Sequence, residues 1–410
     1  MMSSGDPRTI TAGSDPSLHE TKSTGKRTFD ALTGLRFFAA MGVVLYHFAG
    51  PIAERGPRFM SSLTGSGFVA VSFFYVLSGF VLSYSYVNRS GKMLGSRWSF
   101  WVARIARIYP AYLLAFLLAA PFNILWTLRV NHFSTGVAKL VSGAALVLTM
   151  QQAWTPWTAW YWNYPAWSVS VEAFFYLVFP FAALGLRAFR GKTCLLGMCA
   201  LWVVALIAPV SLCLTHGAAA VTGDRLQMAV EFTPLLRLPE FLIGMLLGRA
   251  YVLGFRLTPG MSKVLSCCSL LAVLVCLAFG PAIPRPLLAN GLLVPLFAIL
   301  IYSLAEGQGL LARLLSLPVL ILLGEASYGI YILQIPVSYL LRQPPPHTSV
   351  LTLCVYLIAL VVAALLSWRF VESPLRPRIR NLLVKRNTGP GRLRQVSGPA
   401  HGEIAAVKSS

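Results

Sequence analysis

The stretch TGLRFFAAMGVVLYHFAG, residues Thr33–Gly50, decides how the chain is read. It is apolar and close to the ~20 residues a helix needs to cross a bilayer. Yet it carries Arg36 near one end and His47 near the other. An ionised side chain at the centre of a membrane helix costs at least ~2.5 kcal/mol. At about 3.6 residues per turn the two lie close to three turns apart, so they share one face and sit about 16 Å apart along the axis. A polar stripe of this kind is expected to line an interior cavity and not to face lipid.

The rest of the chain has the same character. Of 410 residues, 56% are hydrophobic and 11% charged, and the mean hydropathy is +0.69. Ordinary soluble domains carry about 25% charged residues. The fold class expected is an all-α integral membrane protein with about ten transmembrane helices. The candidate spans are Leu32–Gly50, Phe68–Val87, Ile108–Thr127, Trp167–Leu186, Cys194–Leu214, Val230–Gly248, Val264–Phe279, Leu287–Leu304, Val319–Leu341 and Val350–Trp368. A further apolar segment near 139–152, KLVSGAALVLTMQQ, is too short to span and is expected to be re-entrant or interfacial.

The net charge of +21 raises the question of a nucleic-acid partner, but its distribution answers differently. With ten spans and both termini cytoplasmic, 25 of the 34 Lys and Arg fall in cytoplasmic segments and 7 in external loops, as the positive-inside rule requires. Membrane lipids, and no nucleic acid, are the expected partners of this charge. The C-terminal run LRPRIRNLLVKR suits anionic headgroups.

Residues 1–28 lack the apolar core and small-residue cleavage site of a signal peptide and read as a disordered cytoplasmic tail. Residues 29–371 form the membrane domain and 372–410 a basic cytoplasmic tail. Seven cysteines lie in apolar segments without metal-ligand spacing and read as small packing residues. No metal site is expected. No internal repeat at 20–50 residues appears, which argues against an inverted-repeat transporter.

His47 is the one histidine inside a span. Acidic residues touch spans only at Glu172, Glu231, Glu240 and Glu325. Glu172, in YWNYPAWSVSVEAFFYLVFP, is expected a turn or two below the outer surface, at the depth of His47, where a carboxylate would orient an imidazole or act as a base. Arg237 and Glu240, three residues apart, are expected to pair within one helix. Leu77–Phe80, LSGF, reads as a close helix contact. In SRWSFWVARIARIYPAY, Arg97, Arg104 and Arg107 alternate with aromatics at a helix mouth. That pattern fits an ordinary interfacial belt or a site for a phosphate-bearing ligand with a flat base.

Together these motifs resemble the acyltransferase-3 family of integral membrane acyltransferases, which includes bacterial O-antigen and polysaccharide O-acetylases and macrolide acylases. The resemblance covers Phe29 to Arg376. It rests on the Arg-x10-His of LTGLRFFAAMGVVLYHF, on FFYVLSGF, on RIARIYPAY and on WSVSVEAFFY. Two positions depart from the family pattern: Gln334 stands in SYGIYILQIPV where a histidine is common, and Ala173 where a second acid often follows Glu172. No proton transfer is assigned to Gln334, and no double-carboxylate role to Glu172 with its neighbour. Some relatives carry a soluble domain after the membrane region, and this chain is expected to be the form without it.

The resemblance implies a multi-pass protein of the bacterial inner membrane. It would transfer an acyl group, acetyl foremost, from acyl-CoA to a hydroxyl of a carbohydrate or glycolipid acceptor, with no permanently bound cofactor. It further implies His47 and Glu172 as catalytic residues. Arg36, Arg104, Arg107, Tyr109, Trp167 and Tyr176 would bind substrate. His47 would deprotonate the acceptor hydroxyl; a covalent acyl-histidine is a variant of the same scheme. The competing classes are a proton-coupled transporter and a non-catalytic scaffold of envelope glycan assembly. Neither needs the Arg/aromatic cluster.

Overall fold

The computed structural model describes residues 28–216, 225–342 and 346–385; the expected tails before residue 28 and after 385 lie outside the described residues. Breakers and caps bound the apolar runs. Helix α1, Asp30–Phe48, is followed by α2, Ala70–Tyr86. Helix α3, Arg97–Val130, starts where the Ser96 hydroxyl accepts the Ser99 N–H at 3.1 Å, an N-cap. Helices α4, Phe133–Leu148, α5, Trp167–Gly185, and α6, Lys192–His216, come next. Helix α7, Pro234–Leu253, ends on Gly254, whose φ of +95° is the left-handed conformation that closes a helix. Helices α8, Pro259–Ala278, and α9, Val294–Ala305, lead to a bent pair, α10, Pro318–Glu325, and α11, Ser327–Leu340. The chain closes with α12, Val350–Ser367, and α13, Ser373–Lys385.

Among the described residues, eight helical stretches are long and apolar enough to cross a membrane, and nine if the bent pair is one span. Most of the segment over 139–152 lies in α4, a short apolar helix of 16 residues that ends at Leu148. The expected span Val230–Gly248 is divided at Thr233, and its main part, α7, carries Arg237, Glu240 and Arg249, all buried. Val319–Leu341 is not one straight span: the chain turns by 56° between α10 and α11. Gly324 and Ser327 flank the turn, a residue pair at which helices bend readily.

The LSGF contact is present. A Cβ on Gly79 would run into the Phe241 carbonyl, one on Gly244 into the Val76 carbonyl and one on Gly248 into the Phe80 carbonyl. Small residues therefore let α2 and α7 touch backbone to backbone. Beside this seam Arg237 Nη2 pairs with Glu240 Oε2 at 3.2 Å, both fully buried. Arg237 also donates to the Ala289 carbonyl at 2.5 Å, to Asn290 Oδ1 and to the Ser72 hydroxyl at 2.9 Å. The Glu240 carboxylate accepts the Gly291 N–H at 2.9 Å. Each charge thus has several partners, the condition under which a buried pair is tolerated.

Of the seven cysteines, Cys194 alone is buried, and Cys199, Cys267, Cys268 and Cys354 face outward. The packing role expected for them fails at those four positions. A lipid-facing helix is apolar all round, so composition does not reveal which face packs.

Candidate active site

Five helices enclose a cavity of about 150 Å³ around the first half of α1. Arg36 enters from α1, Arg104 and Arg107 from α3, and Glu172 and Tyr176 from α5; Ser78 of α2 and Tyr328 and Tyr331 of α11 are among the other polar residues of its wall. The Arg104 guanidinium donates to the Tyr86 hydroxyl at 3.2 Å and lies 5.5 to 5.9 Å from the ring centres of Tyr86, Phe100 and Tyr176, in the range of cation–π attraction. Its Nε has no partner among the described residues. Arg36 and Arg107 are within electrostatic reach of each other and of Glu172 and Glu325. Glu172 accepts the Tyr176 hydroxyl at 2.5 Å and the Ser78 hydroxyl at 3.3 Å. Three guanidiniums against the one carboxylate in its wall make the cavity attractive to an anion.

The second centre lies at the other end of α1. His47 Nδ1 is 2.7 Å from Gln334 Oε1, and Gln334 Nε2 donates to the Tyr331 carbonyl at 2.7 Å. A carbonyl only accepts, so the amide nitrogen must face Tyr331 and the amide oxygen must face His47. The neutral imidazole then carries its proton on Nδ1, and the lone pair is left on Nε2. Gln334 is fully buried, and its own carbonyl accepts the Tyr356 hydroxyl at 2.9 Å. Tyr164 meets the His47 ring edge-on at 4.8 Å. Nearby, Arg285 pairs with Glu231 at 2.9 Å and donates to the Tyr46 hydroxyl at 3.1 Å.

The loop after α11 holds this end. The His347 N–H donates to the Phe48 carbonyl at 2.9 Å, and its ring stacks on Phe48 with centres 5.4 Å apart. Burial pushes the His347 imidazole below its ordinary range, which favours the neutral ring.

His47 and Glu172 do not share a level. The aromatic loop ahead of α5 folds inward: Gln152, fully buried, donates to the Ala166 carbonyl at 3.0 Å, and Asn163 to the Ile332 carbonyl at 2.8 Å. Helix α5 therefore begins well inside the protein. Tyr164 is level with His47, and Glu172, eight residues farther on, at about 1.5 Å per residue, joins Arg36. Of the other sequence candidates, Arg36, Arg104, Arg107 and Tyr176 line the cavity. Tyr109 instead donates to the Leu148 carbonyl of α4 at 3.3 Å, and Trp167 packs on Phe232 with ring centres 4.5 Å apart. Gln334, Tyr331 and Ser78 belong to the two centres without having been singled out for a role. Gln334 alone stands out in the sequence, at a position where the family pattern commonly has a histidine. Among the described residues no group of three His, Cys, Asp or Glu gathers that could hold a metal ion.

A bundle of apolar helices, with a cationic cavity at one end of its first helix and an oriented imidazole at the other, defines a multi-pass membrane protein with two polar centres inside its membrane-spanning part. The chain belongs to the acyltransferase-3 family, whose model, described as an acyltransferase domain, matches residues 29–371. It is similar to the acyltransferase MdmB of Streptomyces mycarofaciens, at 30% identity over 371 residues, which is 84% of this chain and 90% of that one. It is also similar to the O-acetyltransferase OatA of Staphylococcus aureus, at 25% identity over 384 residues, 86% of this chain and 58% of OatA. A Bacillus subtilis protein provisionally named as a peptidoglycan O-acetyltransferase, YrhL, is 26% identical over 87% of this chain and 56% of its own length. The chain thus spans somewhat over half the length of the last two. No solved structure matches it. It is an acyltransferase of a bacterial membrane.

Proposed function

We propose that the protein transfers an acyl group, acetyl foremost, from acyl-CoA to a hydroxyl of a carbohydrate or glycolipid acceptor. One observation carries the proposal. A single helix, α1, presents a cation to an anion-attracting cavity and, about 16 Å along its axis, an imidazole whose Nε2 is free to accept a proton. A donor with phosphates at one end of a long arm and a thioester at the other matches that separation. The names of the relatives support acetyl transfer to oxygen, and that of YrhL supports a glycan acceptor.

In this scheme His47 Nε2 takes the proton of the acceptor hydroxyl as its oxygen attacks the thioester carbonyl. The C–S bond breaks, and the departing thiolate takes the proton back from His47. Base catalysis of this kind typically contributes about 10²- to 10⁴-fold. Gln334 keeps the proton on Nδ1 throughout. Arg36, Arg104 and Arg107 bind the anionic donor; the Tyr176 ring flanks Arg104, and Glu172, held by the Tyr176 and Ser78 hydroxyls, offsets part of their charge.

Purified protein given labelled acetyl-CoA and a glycan acceptor tests this. His47→Gln should abolish acetyl transfer and leave coenzyme A binding within a few-fold of wild type. Arg36→Gln should weaken coenzyme A binding first. Full transfer by the glutamine variant would remove His47 from the chemistry, and solute uptake without acetylated product would make the protein a transporter.

A further inference from the structure

The last helix does not stop where the family match does. After Ser367 the backbone makes one wide π turn, Trp368–Glu372, and continues as α13. Such turns rotate the helix that follows and recur at functional sites. Here the turn brings Glu372 wholly inside the protein, where its Oε2 pairs with Arg376 Nη2 at 3.3 Å, one helical turn on. The pair is incomplete. Glu372 Oε1 and Arg376 Nε have no partner among the described residues, and Arg104 Nε shares that condition. Buried polar atoms are ordinarily satisfied, so the cluster is finished by something that lies outside the described residues.

Its position follows from helix register. Helix α12 starts beside the loop that covers the His47 end, so α12 and α13 run toward the Arg36 end, where α3 begins and runs back. Trp98 Nε1 of α3 donates to the Leu383 carbonyl of α13 at 3.4 Å. Seven residues back from Leu383 is Arg376, and seven forward from Trp98 is Ile105. At about 1.5 Å per residue Arg376 is therefore level with the turn that carries Arg104 and Arg107. Arg107, Arg36 and Glu325 all lie within electrostatic reach of it. Arg378, on the same helix, is exposed and suits lipid headgroups.

We propose that Arg376, braced by Glu372, is a fourth guanidinium of the anion-binding end and contacts the phosphates of the donor's nucleotide. This rests on the acyl-CoA reading above. A planar guanidinium grips phosphate in two-point fashion, and its carboxylate brace keeps it aimed.

The test uses the full-length protein in detergent with two probes and two donors. Adenosine 3′,5′-bisphosphate and coenzyme A report binding by calorimetry; acetyl-CoA and acetyl-pantetheine, which lacks the nucleotide, report transfer. Arg376→Gln should weaken both probes at least tenfold and raise KM for acetyl-CoA by a similar factor, with kcat within twofold and KM for acetyl-pantetheine unchanged. Arg376→Lys should recover part of the loss, and Arg378→Gln should match wild type. If Arg376→Gln does not fold, the double variant Glu372→Gln/Arg376→Gln, which leaves no lone buried carboxylate, carries the same expectation. An equal effect on both donors, a loss confined to kcat, or an equal loss in Arg378→Gln overturns the proposal, as does failure of the wild type to bind the bisphosphate. Bisphosphate binding that depends on Arg376 in a protein unable to use acetyl-CoA would instead overturn the donor reading and leave the site standing.

Discussion

Gln334 accepts the Nδ1–H of His47 at 2.7 Å and donates its own amide to the Tyr331 carbonyl at the same distance. Because Tyr331 also lines the cationic cavity, one helix, α11, fixes the imidazole and walls the cavity. The two ends of α1 are thereby coupled through α11, and a change at Gln334 reaches both His47 and, through the Tyr331 carbonyl, the cavity wall.

Gln334→Leu should lower the transfer rate by about 10²-fold, within the range of positioned base catalysis, because Nδ1–H and the Tyr331 carbonyl both lose a partner and the ring is free to flip. Each unsatisfied buried group costs about 1–3 kcal/mol, so melting temperature should fall as well. Gln334→His restores a hydrogen-bonding ring and should keep transfer within about tenfold. Steady-state kinetics and thermal melts in detergent check both; an active leucine variant would detach Gln334 from the reaction.

The legibility of the molecule in its sequence divides along physical lines. Helices are legible because bilayer thickness dictates their length, and α1 announces its polar stripe because Arg36 and His47 are so costly in lipid. The Arg237–Glu240 pair and the Gly79 contact follow from spacing and side-chain size alone. Depth is not legible: the sequence puts Glu172 level with His47 because nothing local in YWNYPAW shows that Gln152 and Asn163 pull that loop inward. The bend at Ala326 and the outward cysteines escape for a related reason. In an apolar run every face looks alike until neighbouring helices choose one.

Glycine at the α2–α7 seam is a steric requirement. Gly244→Ala places a methyl against the Val76 carbonyl, and overpacking of this kind costs about 1–3 kcal/mol. A marked drop in melting temperature is expected. Gly42→Ala, where nothing lies within 4 Å of the added carbon, should be neutral or slightly stabilising, since alanine favours helix over glycine by up to about 1 kcal/mol. Equal melting of the two variants would remove the seam.

The buried ion pair predicts non-additivity. Arg237→Met leaves Glu240 charged and without its main partner in the interior, a loss of about 3–5 kcal/mol. The double variant Arg237→Met/Glu240→Leu removes that lone charge and should melt above the single variant, though below wild type, because the Gly291 N–H and Ala289 carbonyl lose partners too. A double variant no more stable than the single one would show that hydrogen bonds to the 289–291 turn, and not charge pairing, dominate here.

Glu172 offers the sharpest separation of the two centres. Were it the partner of His47, Glu172→Gln would cut kcat and leave KM alone. Within the cavity the change is different in kind: glutamine keeps the carboxylate's size and still accepts the Tyr176 and Ser78 hydroxyls, while one negative charge disappears from among Arg36, Arg104 and Arg107. Removing a charge several ångströms from an anionic donor favours binding by about 1 kcal/mol even at the full dielectric of water, ~80. That corresponds to a several-fold lower KM for acyl-CoA, with kcat nearly unchanged. The gain should shrink as salt is raised, because screening weakens the exposed part of that interaction. Kinetics at low and high ionic strength measure all three quantities, and a kcat loss of about 10²-fold at constant KM would return Glu172 to the reacting centre.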